Sequence, residues 1–190
     1  MPKLSATPDS IQAALAEAEK QATELLAGVS SSQANWQPND GRSWSICQCF
    51  DHLAKVNFAY AAALQQAVSS TPENYRQPTS HIVPGFFGRW FIQQMEPPVR
   101  AKFKAPGKAV PTPKGNVAEL LEAFLKSHEL VRTVLEGARS ADVNRLRFKN
   151  PFVGVLSFTV GTGLMVINAH DRRHLLQAEQ VKKAVGYPVT

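Results

Sequence analysis

Between Ser157 and Val185 apolar residues return every three or four positions, and histidine takes two of the places in that stripe. Val160, Leu164, Ile167, His170, His174, Ala178, Val181 and Val185 fall on one side of a helix, with Arg172, Arg173 and Gln177 off it. Gly186 and Pro188 stop the run. A stripe of this length has to be buried against other elements. It predicts a helix whose inner face carries two imidazoles about one turn apart. Polar rings turned toward a core need hydrogen-bond partners or a shared ion, because an unpaired buried polar group is costly. His-x3-His on a helix is a spacing that divalent metals use. The spacing alone does not choose between a metal pair and two satisfied or exposed histidines.

Three more amphipathic helices lie upstream. Thr7-Pro8 with Asp9 opens the first, whose stripe is Ile11, Leu15, Ala18, Ala22, Leu25 and Val29. Ser45 and Gln48 form a capping box for the second, with a stripe of Ile46, Phe50, Leu53, Val56, Tyr60 and Leu64. His52 stands at the edge of that stripe, where inward and solvated orientations are both open. Asn116-x-x-Glu119 reads as a further capping box, and Val117, Leu121, Phe124, His128, Val131 and Leu135 follow it as far as Gly137. His128 reads as a core or rim histidine with a backbone partner, and a place at a metal is the second reading. The long connection from Ser69 to Gly115 is irregular, except that Phe86 to Met95 is aromatic enough to predict a short helix packed down as a lid or partner surface. No strand is expected. The prediction is an all-α, four-helix bundle, not simply up-down-up-down, with one short extra helix between the second and third long ones.

At 190 residues, with 44% hydrophobic and 19% charged positions, the chain is expected to form a single domain over 1–190. It starts without the apolar run of a secretory signal. Cys47 and Cys49 offer no disulfide framework, which suits a reducing cytoplasm; on a helix they read as two small buried residues. The uncharged run from Pro151 to Ala169 is broken by glycines and polar residues, so it reads as a turn and a buried half-helix, with no membrane span. Gly161 and Gly163 within it read as close-packing positions. The net charge is +6, and Arg100, Lys102, Lys104, Lys108 and Lys114 crowd one Pro/Gly-rich segment. A solvated loop is the expectation there, since no nucleic-acid motif accompanies the charges. Trp36 and Trp44 read as staples at the entry to the second helix.

The context Trp44-Ser45-Ile46-x-Gln48-x3-His52-Leu53, with Trp36-x-Pro38 upstream, Pro151-x2-Gly154 before the last helix and His170-x3-His174-x2-Gln177 in it, resembles the DinB-like superfamily, grouped with the YfiT-type metal-dependent hydrolases. The resemblance spans all four long helices. It implies a bundle holding one divalent ion, nickel or zinc, on His52, His170 and His174, with other coordination positions open. It also implies thiol-dependent transfer or hydrolysis on a small molecule, a low-molecular-weight thiol as partner, and a homodimer. The segment 70–115 is expected to border the site. Asp51, Asp171 and Gln48 are the nearest candidates to orient the rings, although both aspartates point about 100° from their histidine neighbours and read as exposed. Two other functions stay open. One is a non-catalytic metal-binding or stress-response module; the other is an acidic-partner or nucleic-acid binder through residues 100–114.

Overall fold

The structure is a computed structural model and describes residues 4–98 and 104–189. In chain order it contains α1 (Pro8–Leu26), α2 (Ser31–Asn35), α3 (Ile46–Ser69), α4 (Phe86–Met95), α5 (Val117–Ala138), β1 (Arg147–Lys149), β2 (Ser157–Thr159) and α6 (Val160–Lys182). The four long helices α1, α3, α5 and α6 make the bundle. α3 packs mainly on α5 and α6, and α1 packs on the same two, so α1 and α3 face each other across the bundle. The first and second long helices are therefore diagonal, as are α5 and α6, while α3 and α5 are neighbours, which excludes the simple up-down-up-down order.

Local chemistry starts each helix. Ser45 Oγ accepts from the Gln48 amide while Gln48 Oε1 accepts from the Ser45 amide, a complete capping box. At α5 the expected box is only half made. The Asn116 side-chain oxygen takes the Ala118 and Glu119 amides itself, and Glu119 does not return the bond. α1 ends at Leu26, which is buried where the sequence stripe placed Leu25. α6 begins at Val160 and not at Ser157, because Ser157–Thr159 pairs antiparallel with Arg147–Lys149. This hairpin corrects the expectation that no strand is present. Phe148 and Phe158 lie opposite each other and face the core, and Arg147 and Lys149 face solvent. At its other end α6 stops at Lys182, leaving Val185 fully exposed beyond the buried stripe.

α6 is the inner helix. It packs against α1, α3 and α4, and every residue from Val160 to Asp171 is buried. Its glycines make that possible: a Cβ on Gly161 would lie 2.5 Å from Ile82 Cγ2, and one on Gly163 would lie 2.7 Å from the Phe148 ring. The close packing expected there is present. α4 forms over the predicted residues and seats Gly88 and Ile92 on the body, with Phe87 and Phe91 against Phe158. The outward half of its aromatic run, Phe86 above all, stays exposed. Among the described residues no helix is long and apolar enough to cross a membrane.

Candidate metal centre

α3 is covered on two sides, by α5 and α6, so its buried arc is wider than one stripe and takes in Gln48, His52 and Asn57. That resolves the edge position of His52. Its ring points inward and meets the two rings of α6. His52, His170 and His174 are 4%, 8% and 7% exposed, and one nitrogen from each ring lies within 4.8 Å of the other two. His52 Nε2 and His170 Nε2 are 3.1 Å apart. The three sequence candidates are thus brought together.

The outer nitrogens fix two of the tautomers. His52 Nδ1–H donates to the Ala109 carbonyl at 2.6 Å, and His174 Nδ1–H donates to Gln177 Oε1 at 2.8 Å. Both rings then present a bare Nε2 to the interior. His170 Nε2–H donates to His52 Nε2, which leaves His170 Nδ1 buried with no hydrogen-bond partner among the described residues. Such a cluster suits a cation. Four ligands at about 2.0–2.1 Å around a tetrahedral ion stand roughly 3.3 Å apart, close to the His52–His170 spacing. The donor set, three imidazoles with no carboxylate, matches borderline ions such as zinc and nickel.

Electrostatics keeps the rings neutral. Burial lowers all three histidines. Proximity of the other rings and of Arg173 adds to it at His170, which lies well below the usual range, and at His174, pushed down to about 3. Neutral imidazoles are the form that ligates metal. Arg173 is itself buried and donates to the Gln94 carbonyl at the end of α4. Its neighbour Arg172 pairs with Glu96.

Two of the expected orienting groups are engaged elsewhere. Asp51 accepts from Lys55 and Thr112, and Gln48 is spent on the helix cap and on Gln37. Asp171 is not exposed as expected. It is fully buried, accepting from Asn57 Nδ2 at 2.9 Å and from His128 Nε2 at 3.1 Å. The groups that do hold the rings are Gln177, legible as the third residue after His174, and the Ala109 backbone, which no residue type announces. Ala109 lies within the 70–115 segment, and its carbonyl is a contact of that segment with the cluster. His128 stays off the triad, fully buried between Asp171 and Glu19, with Arg132 on the far side of Glu19. Its partners are carboxylates and not the expected backbone.

Trp44 has a second contact beyond its place at the entry to α3. The half-buried indole packs on the core at the start of α3, its own helix, and it also lies over the cluster, with ring centroids 4.8 Å from His52 and 5.6 Å from His174. Trp36 packs edge-on against Tyr187. Of the basic segment, Arg100 and Lys102 lie outside the described residues, while Lys104, Lys108 and Lys114 are exposed. Burial pushes the Cys47 thiol up to about 11 and Cys49 further, so both are unreactive. A groove of about 510 Å³ opens between the end of α1 and the start of α5, lined by Leu26, Val29, Val117 and Leu121 among others, and none of the three histidines lines it.

Comparison with known proteins places this arrangement. No curated protein matches the chain. Among solved structures it is similar to YfiT from Bacillus subtilis, described as a probable metal-dependent hydrolase with an unusual four-helix bundle topology. The two are 18% identical with a TM-score of 0.55, and the match covers 95% of this chain and 89% of that one. At that identity the likeness is one of fold. The model of the DinB superfamily matches residues 14–178, which contain α3 and α5, most of α1 and α6, and all three histidines of the cluster. The chain belongs to the DinB superfamily.

Proposed function

We propose that the protein is a mononuclear metal-dependent enzyme acting on a small molecule, as a hydrolase or a thiol-dependent transferase. His52, His170 and His174 would hold one nickel or zinc ion. The observation that carries the reading is the convergence of three buried imidazoles, with two Nε2 atoms 3.1 Å apart and the outer nitrogens of His52 and His174 already committed to acceptors. A divalent ion held there supplies Lewis acidity, the property that brings the pKa of a water or a thiol toward neutral pH.

The remaining work falls to the chain's own groups. Ala109 and Gln177 aim the rings, Trp44 covers one side of the cluster, and burial keeps the rings in the neutral form that ligates metal. The nucleophile has to come from outside the chain. Cys47 and Cys49 are buried with raised pKa, which supports an external thiol or a water as the attacking group. Asp51 and Asp171 are bonded to other partners, so neither is set up as a general base for it.

The test is elemental analysis of the purified chain beside His52→Ala and His174→Ala. The expected result is about one nickel or zinc per wild-type chain, lost in both variants. Hydrolytic and thiol-transfer substrates would then be screened on the loaded protein. Absence of metal after incubation with either ion, or full occupancy in both variants, would overturn the reading.

A further inference from the structure

We propose that Asp171, gripped by Asn57 and His128, is the positioning residue that sets the two metal-bearing helices in register. The inference rests on the reading of the triad as a metal centre. Asp171 follows His170 directly and precedes His174 by three residues, so it lies inside the turn of α6 that carries both rings. Asn57 lies five residues after His52 on α3. The Asn57 Nδ2–H to Asp171 Oδ1 bond, at 2.9 Å, therefore ties α3 to α6 beside the point where their histidines meet. The other carboxylate oxygen takes the His128 Nε2–H at 3.1 Å, which adds α5 as a third fixed point. Asn57, Asp171 and His128 are each fully buried.

A carboxylate in a helical core is costly to desolvate, and an apolar residue of similar size would pack there at no such cost. What leucine at this place lacks is direction. Packed apolar faces let one helix slide or rotate on another by fractions of an ångström, whereas two short bonds to different helices fix both rotation and rise. Three ligands from two helices need that precision. His52 Nε2 has to stand about 3 Å from its counterpart on α6, and a small slip between the helices opens the gap. The clamp acts through the histidines and touches no ligand itself. On the far side His128 Nδ1 lies 3.2 Å from Glu19 Oε1, and Arg132 donates to Glu19, so the network continues outward from α5 to α1.

The experiment measures metal affinity by calorimetry with zinc, and the absorption spectrum with cobalt(II) in its place. It uses wild type, Asn57→Leu, Asp171→Leu and Asp171→Asn, each at a temperature where circular dichroism shows it folded. Leu135→Ala, destabilised in the core away from the cluster, is the matched control. The expectation is a loss of about tenfold or more in affinity, with altered cobalt bands, in both leucine variants. The control should keep both properties. Asp171→Asn should retain affinity within about threefold, because its oxygen can still accept from Asn57 and its amide can donate to the other tautomer of His128. If Asp171→Leu does not fold, Asn57→Leu carries the test. Wild-type affinity and spectrum in a folded Asn57→Leu would overturn the clamp and leave the metal reading standing. A wild-type chain that takes up neither ion would overturn both.

Discussion

Acidification of the metal-free protein should unfold it through His174. The ring is 7% exposed, and burial together with its neighbours holds its pKa at about 3, against an ordinary value near 6.5. The group is a base whose folded pKa is depressed, so the unfolded chain takes the proton first. Above about pH 6.5 neither state is protonated and stability is unaffected. Between pH 6.5 and 3 the unfolded state alone gains, and stability falls by roughly 1.4 kcal/mol per pH unit for one such group. At pH 5 that amounts to about 2 kcal/mol from His174, a large part of the roughly 5–15 kcal/mol that holds a domain together. His170 and His52 are shifted the same way and steepen the fall. Asp51, whose carboxyl is held below its usual range, loses its contribution only at lower pH, so the window from 6.5 to 5 belongs to bases. The assay is urea unfolding followed by circular dichroism at pH 7, 6 and 5 in the presence of a chelator, with His174→Gln alongside. The variant should show a shallower pH dependence by about 2 kcal/mol over that range. Equal slopes in the two proteins would refute the reasoning, since the ring would then titrate alike folded and unfolded.

Other perturbations test the packing and the cover of the site. Gly163→Ala gains about 1 kcal/mol in helix propensity but sets a methyl 2.7 Å from the Phe148 ring and 2.8 Å from Leu64 Cδ2. Overpacking costs about 1–3 kcal/mol, so a net loss is expected in urea melts, and a stabilised variant would show that the interface yields. Phe124→Ala removes a fully buried ring set edge-on to Phe50 at 5.7 Å and should cost about 3–5 kcal/mol, whereas a loss below 1 would mean that the site collapses around the gap. Trp44 lies nearest the cluster, so nickel should quench tryptophan emission in wild type and leave Trp44→Phe almost unchanged while calorimetry still reports binding. Equal quenching in that variant would place the ion elsewhere.

How far the sequence could be read depended on whether a feature belonged to one helix or to the space between helices. His170 and His174 were legible because the period of α6 places them on its own inner stripe. The capping residues and the short aromatic helix were legible for the same local reason. His52 was not resolved, because its direction depends on α3 being covered from two sides, which no periodicity within α3 states. The hairpin has no local signature, because three residues, Arg147 to Lys149, are too few for an alternation to stand out. The exposed reading of Asp171 depends on a particular geometric premise. An angle of about 100° from His170 means exposure only if the helix has one buried face. From Val160 to Ala169 the chain places no charge at any angle around the helix. A helix with no polar face over ten residues has no solvent side there, and the first charge to follow should be read by continuity as buried and in need of partners. Read that way, Asp171 predicts buried donors on the facing helices, and the polar residues on the inner arcs of α3 and α5, Asn57 and His128, become the candidates.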